Sequence, residues 1–261
     1  MYQTIITEVD GAIGILTLNK IERHNALDEN LIAELTNGLL ALESDPAVRV
    51  VVLSATGKSF CAGSDINWMK RAAVNAPSER LRDERALGRL MRTLNGLSKP
   101  TLARVQGAAL GSGVGLIAAC DIAIATYDCQ FALTEVKLGL IPAVVSPFVL
   151  AAIGERHARR YLLTAERFSA AEAYRIGLVH EIVPNEEQLD EAIGEIIDKL
   201  LKNGPHAIAE CKSLMQSVVG RSIDENVIEE AAQRITQLRS TPEGREGLTA
   251  LLEKRKANWI V

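Results

Sequence analysis

The chain has 261 residues, 48% hydrophobic and 24% charged, enough for a sizeable buried core in one large domain or a domain with an appendage. A net charge of −4 and a pI near 5.7 argue against nucleic acid as the main partner, because phosphate contacts need clustered Lys and Arg. The N-terminal "MYQTIITEVDGAIGILTLNK" lacks the charged and apolar regions of a signal peptide, and runs such as "AIGILTL" are too short to span a bilayer, so a cytoplasmic enzyme without a membrane partner is expected. Cys61, Cys120, Cys129 and Cys211 form no C-x-x-C pair and have no His at metal-ligand spacing. They read as buried thiols in a reducing compartment, with no metal site.

In chain order, Tyr2 to Val9 and Ala12 to Leu18 read as a hairpin turned at Asp10-Gly11. Leu27, Leu31, Leu35 and Leu39 repeat every four residues, which suits one helix face, and Pro46 closes that helix. "VRVVVLSA" is a β-branched run, predicted as a strand buried on both faces. "APSERLRDERALGRLMRTLNGLSKP" is a second amphipathic helix ended by Pro100, "TLARVQG" a strand, and "CDIAIAT" another. This alternation predicts an α/β fold with a mainly parallel sheet. Beyond about residue 150 strand signals mostly vanish. Helices are predicted over 151–163, 170–176, 186–203, 207–219 and 222–239, punctuated by Pro205, Gly220 and Pro242.

"GAALGSGVGLIAACD", Gly107 to Asp121, sets four glycines in nine residues ahead of an apolar helix. The spacing Gly111-x-Gly113-x-Gly115 does not match G-x-G-x-x-G, and no Lys follows as a P-loop requires. Close helix packing is one reading. The other is a backbone N–H at a helix N-terminus aimed at a developing negative charge. A second small-residue turn, "GKSFCAGSDINWMK", also follows a buried strand, so two strand ends together offer a two-donor oxyanion hole.

"FCAGSDI", "KPTLARVQGAALGSGVGLIAACDIAIAT", "FALTEVKLGLIPAVVSPFVLAAIG" and "LTAERFSAAEAYRIGLVHEIV", in this order, resemble the enoyl-CoA hydratase/isomerase (crotonase) superfamily. "SDINWMK" and "LTEVKLGLIPAVVSP" look most similar to its bacterial 3-methylglutaconyl-CoA and carboxygeranoyl-CoA hydratases. The resemblance implies a spiral of ββα units over residues 1–200 and a C-terminal helical trimerisation region over 201–261, assembled as a homotrimer or dimer of trimers. It implies an acyl-CoA thioester substrate, coenzyme A being part of the substrate and not a separate cofactor. The backbone N–H groups of Ser64 and Ser112 match the family's oxyanion hole. Ala62, Gly63, Asp65, Ile66, Trp68, Met69, Lys70, Gly111 and Gly113 fall in the matching substrate-contacting segments. Lys20, Arg23, His24, Lys254 and Lys256 are candidates for the coenzyme A portion, and Lys70, Arg71 and Arg82 for a distal acyl carboxylate.

The two-carboxylate hydratases of this family carry one Glu in the helix after the glycine turn and another in the next loop. The first place is Gly115 here; the second is Glu135, retained. Flanked by Leu133, Val136 and Leu138, Glu135 is positioned for partial desolvation that raises its pKa; the plainer alternative is a surface Glu paired with Lys137 or another cation. One carboxylate supports two reactions. In hydration it deprotonates the water attacking C3 and returns that proton to C2; in isomerisation it moves a proton from C2 to C4. The subfamily resemblance favours hydration, whereas the missing second Glu favours isomerisation. A non-enzymatic, RNA-binding role known in this superfamily is disfavoured by the negative charge.

Overall fold

The computed structural model describes residues 2–260. Strands β1 (Ile5–Asp10) and β2 (Ile13–Leu18) form the expected hairpin, although pairing begins at Ile5 opposite Leu18 and not at Tyr2. Helix α1 (Glu29–Ser44) is capped by Asp28, whose side chain accepts the Leu31 N–H at 2.9 Å. It buries Leu31, Ile32, Leu35, Leu39 and Leu42. Leu27, expected on the same helical stripe, lies before the helix instead; its N–H donates to the Gly63 carbonyl and its own carbonyl accepts the Asp65 N–H.

The chain then repeats one unit three times: a strand in a larger sheet, a three-residue strand in a smaller sheet, then helix. The first unit is β3 (Val50–Ala55), β4 (Ser59–Cys61), α2 (Ile66–Val74) and α3 (Pro77–Gly96). The second is β5 (Thr101–Val105), β6 (Ala108–Leu110) and α4 (Ser112–Ala119). The third is β7 (Ile122–Thr126), β8 (Gln130–Ala132), a 3-10 turn (Glu135–Leu138) and α5 (Ser146–Thr164). Next come β9 (Phe168–Ser169), α6 (Ala170–Arg175), β10 (Glu181–Val183) and α7 (Glu186–Leu201). The larger sheet runs β1-β2-β3-β5-β7-β10, parallel from β2 onward; the smaller runs β4-β6-β8-β9, with only β9 antiparallel. This is the expected α/β spiral of ββα units.

All six residues of β3 are buried, as its β-branched run predicts, because both sheet faces are covered. On one face Val50, Val52, Leu102 and Ile124 pack with Leu189, Ile193 and Ile197 of α7. On the other, Leu16, Leu18, Val51 and Leu53 join the core built with α1, α3 and α4. The short strands β4, β6, β8, β9 and β10 lie in stretches that the sequence pattern leaves unassigned or marks as turns, β9 and β10 falling between predicted helices. Two or three residues are too short to display a period of two.

After residue 201 follow α8 (Pro205–Val218), α9 (Glu225–Arg239) and α10 (Pro242–Leu252), the last not anticipated as a separate helix. Helix α8 is tied to the core by Lys212, 7% exposed, whose Nζ lies 2.6 Å from Asp121 Oδ2 and 2.9 Å from the Lys99 carbonyl. Helix α9 has no buried residue. Among the described residues no helix is long and apolar enough to cross a membrane.

Candidate active site

The two glycine turns meet because β4 and β6 are parallel neighbours, with Ser59 opposite Ala108 and Cys61 opposite Ala109. The segments leaving these strands, Ala62–Ser64 and Gly111–Gly113, therefore emerge side by side. The contact is close enough to demand glycine. A Cβ on Gly113 would stand 2.4 Å from the Cys61 carbonyl oxygen, and one on Gly63 2.9 Å from that of Leu110. Gly63 and Gly111 also adopt φ of +87° and +50°, a region that L side chains rarely enter.

Ser112 is the first residue of α4, so its N–H has no acceptor within the helix. The Ser64 N–H lies between the two hydrogen bonds that Leu27 makes with Gly63 and Asp65. Among the described residues neither N–H has a protein acceptor, although Ser112 is only 4% exposed. Unpaired backbone donors in such a position are rare and point to an acceptor supplied by a guest.

The 3-10 turn after β8 brings Glu135 to the same place. Its Oε1 lies 2.8 Å from where a Gly111 Cβ would be, and its Oε2 is buried without a hydrogen-bond partner. Burial raises the carboxyl above its ordinary range, and backbone hydrogen bonds in the turn offset only part of that effect. Glu135 has no ion pair among the described residues, so the Lys137 alternative fails. Ser64, Ser112 and Glu135 all line one cavity of about 310 Å³, a size suited to a short acyl chain.

Gly115 explains where the other carboxylate went. A Cβ there would lie 2.4 Å from Val145 Cγ1 and 2.7 Å from Val145 Cβ. Val145, 2% exposed, fills the volume that a side chain at 115 would need.

Trp68 and Met69 line the cavity as expected. Ala62, Gly63, Gly111 and Gly113 shape its turns through their backbone. Three residues grouped with them lie outside the lining of this cavity. Asp65 spends its carboxylate capping α2, accepting the N–H groups of Asn67 at 2.8 Å and Trp68 at 3.1 Å. Burial raises its pKa, but those bonds and the charges of Lys20 and Arg23 outweigh it and hold the group low. Ile66, 69% exposed, and Lys70, also exposed, lie outside the cavity lining.

The cations are likewise redistributed. Lys20 is held by Asp28 at 2.5 Å and faces Asp65 at 3.7 Å, so it is a structural ion-pair residue. Arg23 is exposed, and the His24 carbonyl accepts the Ala62 N–H at 2.9 Å, which places both residues beside the first turn. Lys254 and Lys256 are exposed near the C-terminus and do not line the cavity. Arg71 pairs with Glu29 at 2.7 Å, and Arg82 is turned to solvent beside Asp83. The cation that does line the cavity is Arg80, which sequence reasoning missed together with Asp83, Glu84 and the 138–145 loop. Arg80, Asp83, Glu84 and Leu87 share a helix face at three- and four-residue spacing, a signal present in the sequence.

The remaining nucleophiles are quiet. Burial pushes the Cys61 thiol up to about 12, so it is not a thiolate at neutral pH. His180 uses Nδ1 to accept the Ala123 N–H at 3.1 Å, a structural role.

The sequence profile of the Enoyl-CoA hydratase/isomerase family matches residues 8–260. The chain is 35% identical over 262 residues to the crotonyl-CoA hydratase of Syntrophomonas wolfei, covering 99% of this chain and 98% of that protein. It is 31% identical over 246 residues to the 2,3-dehydroadipyl-CoA hydratase of Escherichia coli, covering 94% of each. The crystal structure of an enoyl-CoA hydratase from Shewanella pealeana superposes with a TM-score of 0.96 at 42% identity, covering 98% of this chain and 96% of that one.

Proposed function

The chain belongs to the enoyl-CoA hydratase/isomerase family, and from that premise we propose that it adds water across the 2,3 double bond of an acyl-CoA thioester. The observation that carries this reading is the convergence of two unpaired backbone N–H groups with one unpaired buried carboxyl in a single cavity. The thioester oxygen sits between the Ser64 and Ser112 N–H groups. As water attacks C3, charge moves onto that oxygen and the two donors stabilise the enolate, each by about 3 kcal/mol. Glu135 delivers the proton to C2. In the one-carboxylate cycle it first takes that proton from the attacking water. Its raised pKa suits both halves, since a group that holds its proton more tightly is a stronger base and is more readily found protonated. The Ser112 hydroxyl, beside the donor, narrows the space for the acyl group.

For the acyl group we favour a short branched chain with a distal carboxylate, of the 3-methylglutaconyl type. Support comes from Arg80, a cavity-lining guanidinium without an ion pair among the described residues. Arg23 and His24 stand where the coenzyme A portion would leave the turn. Self-association as a trimer, or a dimer of trimers, is supported by α9, where Ile228 is 59% and Ile235 48% exposed, and by Leu251 and Leu252 of α10 at 73% and 83%.

Mass-resolved turnover of 3-methylglutaconyl-CoA, crotonyl-CoA and a 3-enoyl-CoA tests the reading. Gain of one water, fastest on the methylglutaconyl substrate, is expected. Double-bond migration without mass change establishes isomerisation instead, the reading favoured by Val145 closing position 115. Hydration of crotonyl-CoA alone removes the distal carboxylate.

A further inference from the structure

We propose that helix α3 supplies a second carboxyl group to the hydration site, from the adjacent pair Asp83 and Glu84. The inference rests on the hydratase reading and replaces its one-carboxylate cycle with one in which a second group takes the water proton at C3. Position 115 cannot provide the group, because Val145 occupies the space in front of it. Helix α3 forms a different wall of the same cavity. Its residues Arg80, Asp83, Glu84 and Leu87 line it together with Ser64, Ser112 and Glu135.

The pair is not engaged in holding the fold together. Among the described residues, neither carboxylate accepts a hydrogen bond, and the one ion contact is a long one, 3.7 Å from Arg82 Nε to Asp83 Oδ1. Asp83 nevertheless keeps only 16% of its side chain exposed. It marks the point where the buried stripe of α3, formed by Leu87, Leu90, Met91 and Leu94, runs on into an acid. Trp68, which with Asp83 separates this cavity from a neighbouring one of about 270 Å³, also carries an unsatisfied polar group. It is 6% exposed, lines the cavity with Asp83, and its Nε1–H is buried without an acceptor. Glu84 is an exposed residue, and partial desolvation with the Asp83 charge raises its carboxyl above its ordinary range.

Position along the substrate divides the labour. Glu135 lies against the Gly111 turn, hence beside the thioester carbonyl and C2. On this proposal the α3 wall, which lines the same cavity, faces C3. As the water oxygen bonds to C3, the α3 carboxylate takes one water proton. The C2–C3 π electrons form the enolate, whose oxygen is held by the two backbone N–H groups. Glu135, as the carboxylic acid, gives its proton to C2. The enzyme is left with Glu135 ionised and the α3 carboxyl protonated. Proton exchange with solvent restores both, and the net change is the addition of one water.

The test separates the two proton-transfer steps. Hydration of crotonyl-CoA and exchange of the C2 proton of butyryl-CoA in D2O are measured for the wild type and for Asp83→Asn/Glu84→Gln. If the wild type adds no water, the hydratase reading itself fails. If it does, the double variant is expected to lose hydration by about 100-fold in kcat with KM little changed, while C2 exchange stays within about threefold, because only the water step has lost its base. Retained exchange also certifies a folded site. The single variant that carries the loss names the member of the pair. Hydration within about threefold of wild type, or loss of exchange together with hydration, overturns the proposal.

Discussion

Replacing Gly115 by Ala should destabilise the protein even though it improves a helix. In an open helix interior this change stabilises by about 1 kcal/mol. Here the new Cβ would lie 2.4 Å from Val145 Cγ1, 2.7 Å from Val145 Cβ and 3.4 Å from Met91 Cε. The second contact is with an atom one bond from the backbone, so no side-chain rotation relieves it. Overpacking of this kind costs about 1–3 kcal/mol, which leaves a net loss of about 1 kcal/mol after the propensity gain. Val145→Ala alone removes buried methyl groups and costs about 2 kcal/mol. In the Val145→Ala background the clash with Cγ1 disappears and the added methyl refills part of the vacated volume, so the same Gly115→Ala change becomes neutral or stabilising. The cycle should therefore show a favourable coupling of about 1–2 kcal/mol. Urea unfolding of the four proteins at one fixed protein concentration measures it. Strict additivity, or a Gly115→Ala single variant more stable than wild type, would refute the argument that Val145 excludes a side chain at 115.

Glu135→Gln removes an acid whose folded pKa is raised above 4.5 by burial. The folded wild type then binds more protons than the unfolded chain between those two values, so its stability falls as pH rises through them. The variant should accordingly be more stable than wild type at pH 8 and lose that advantage as pH falls below the ordinary carboxylate range; a constant difference in urea midpoint across pH contradicts the desolvation. Gly111→Ala places a side chain at φ +50° and 2.8 Å from Glu135 Oε1, so it should cost more than about 1 kcal/mol and displace the carboxylate. Its hydration rate should fall at least about tenfold, and a wild-type rate would mean that Glu135 does not depend on this turn. Native-state alkylation at pH 8 should modify Cys211 alone, since it is exposed while Cys61, Cys120 and Cys129 are buried with raised pKa. Mass mapping that finds Cys61 labelled would contradict its inert setting.

The long elements were legible because burial imposes a period. The β-branched run at Val50 to Ala55 and the leucines of α1 announce their environment through sequence alone. The short strands carry no such signal, yet β4 and β6 are what set the two glycine turns side by side. Motif resemblance located those turns and Glu135. It did not locate the other walls of the cavity. Leu140 and Ile141 lie in a loop with no repeat to read, and Arg80, Asp83 and Glu84 look like the polar face of an ordinary amphipathic helix. Cations were the least legible. Lys20 and Arg71 sit in plausible positions, but whether a lysine or arginine meets substrate or a neighbouring carboxylate depends on Asp28 and Glu29, which only the fold brings to them.

The account stands on Glu135 as the proton carrier between the two glycine turns. Turnover of crotonyl-CoA by Glu135→Gln, measured with the affinity for a saturated acyl-CoA, tests this most directly. A fall in kcat of about 10²- to 10⁴-fold with affinity unchanged is predicted, because the amide keeps the shape and loses the exchangeable acid. A variant that retains more than about one tenth of wild-type turnover would contradict the assignment and move the acid–base chemistry to another group.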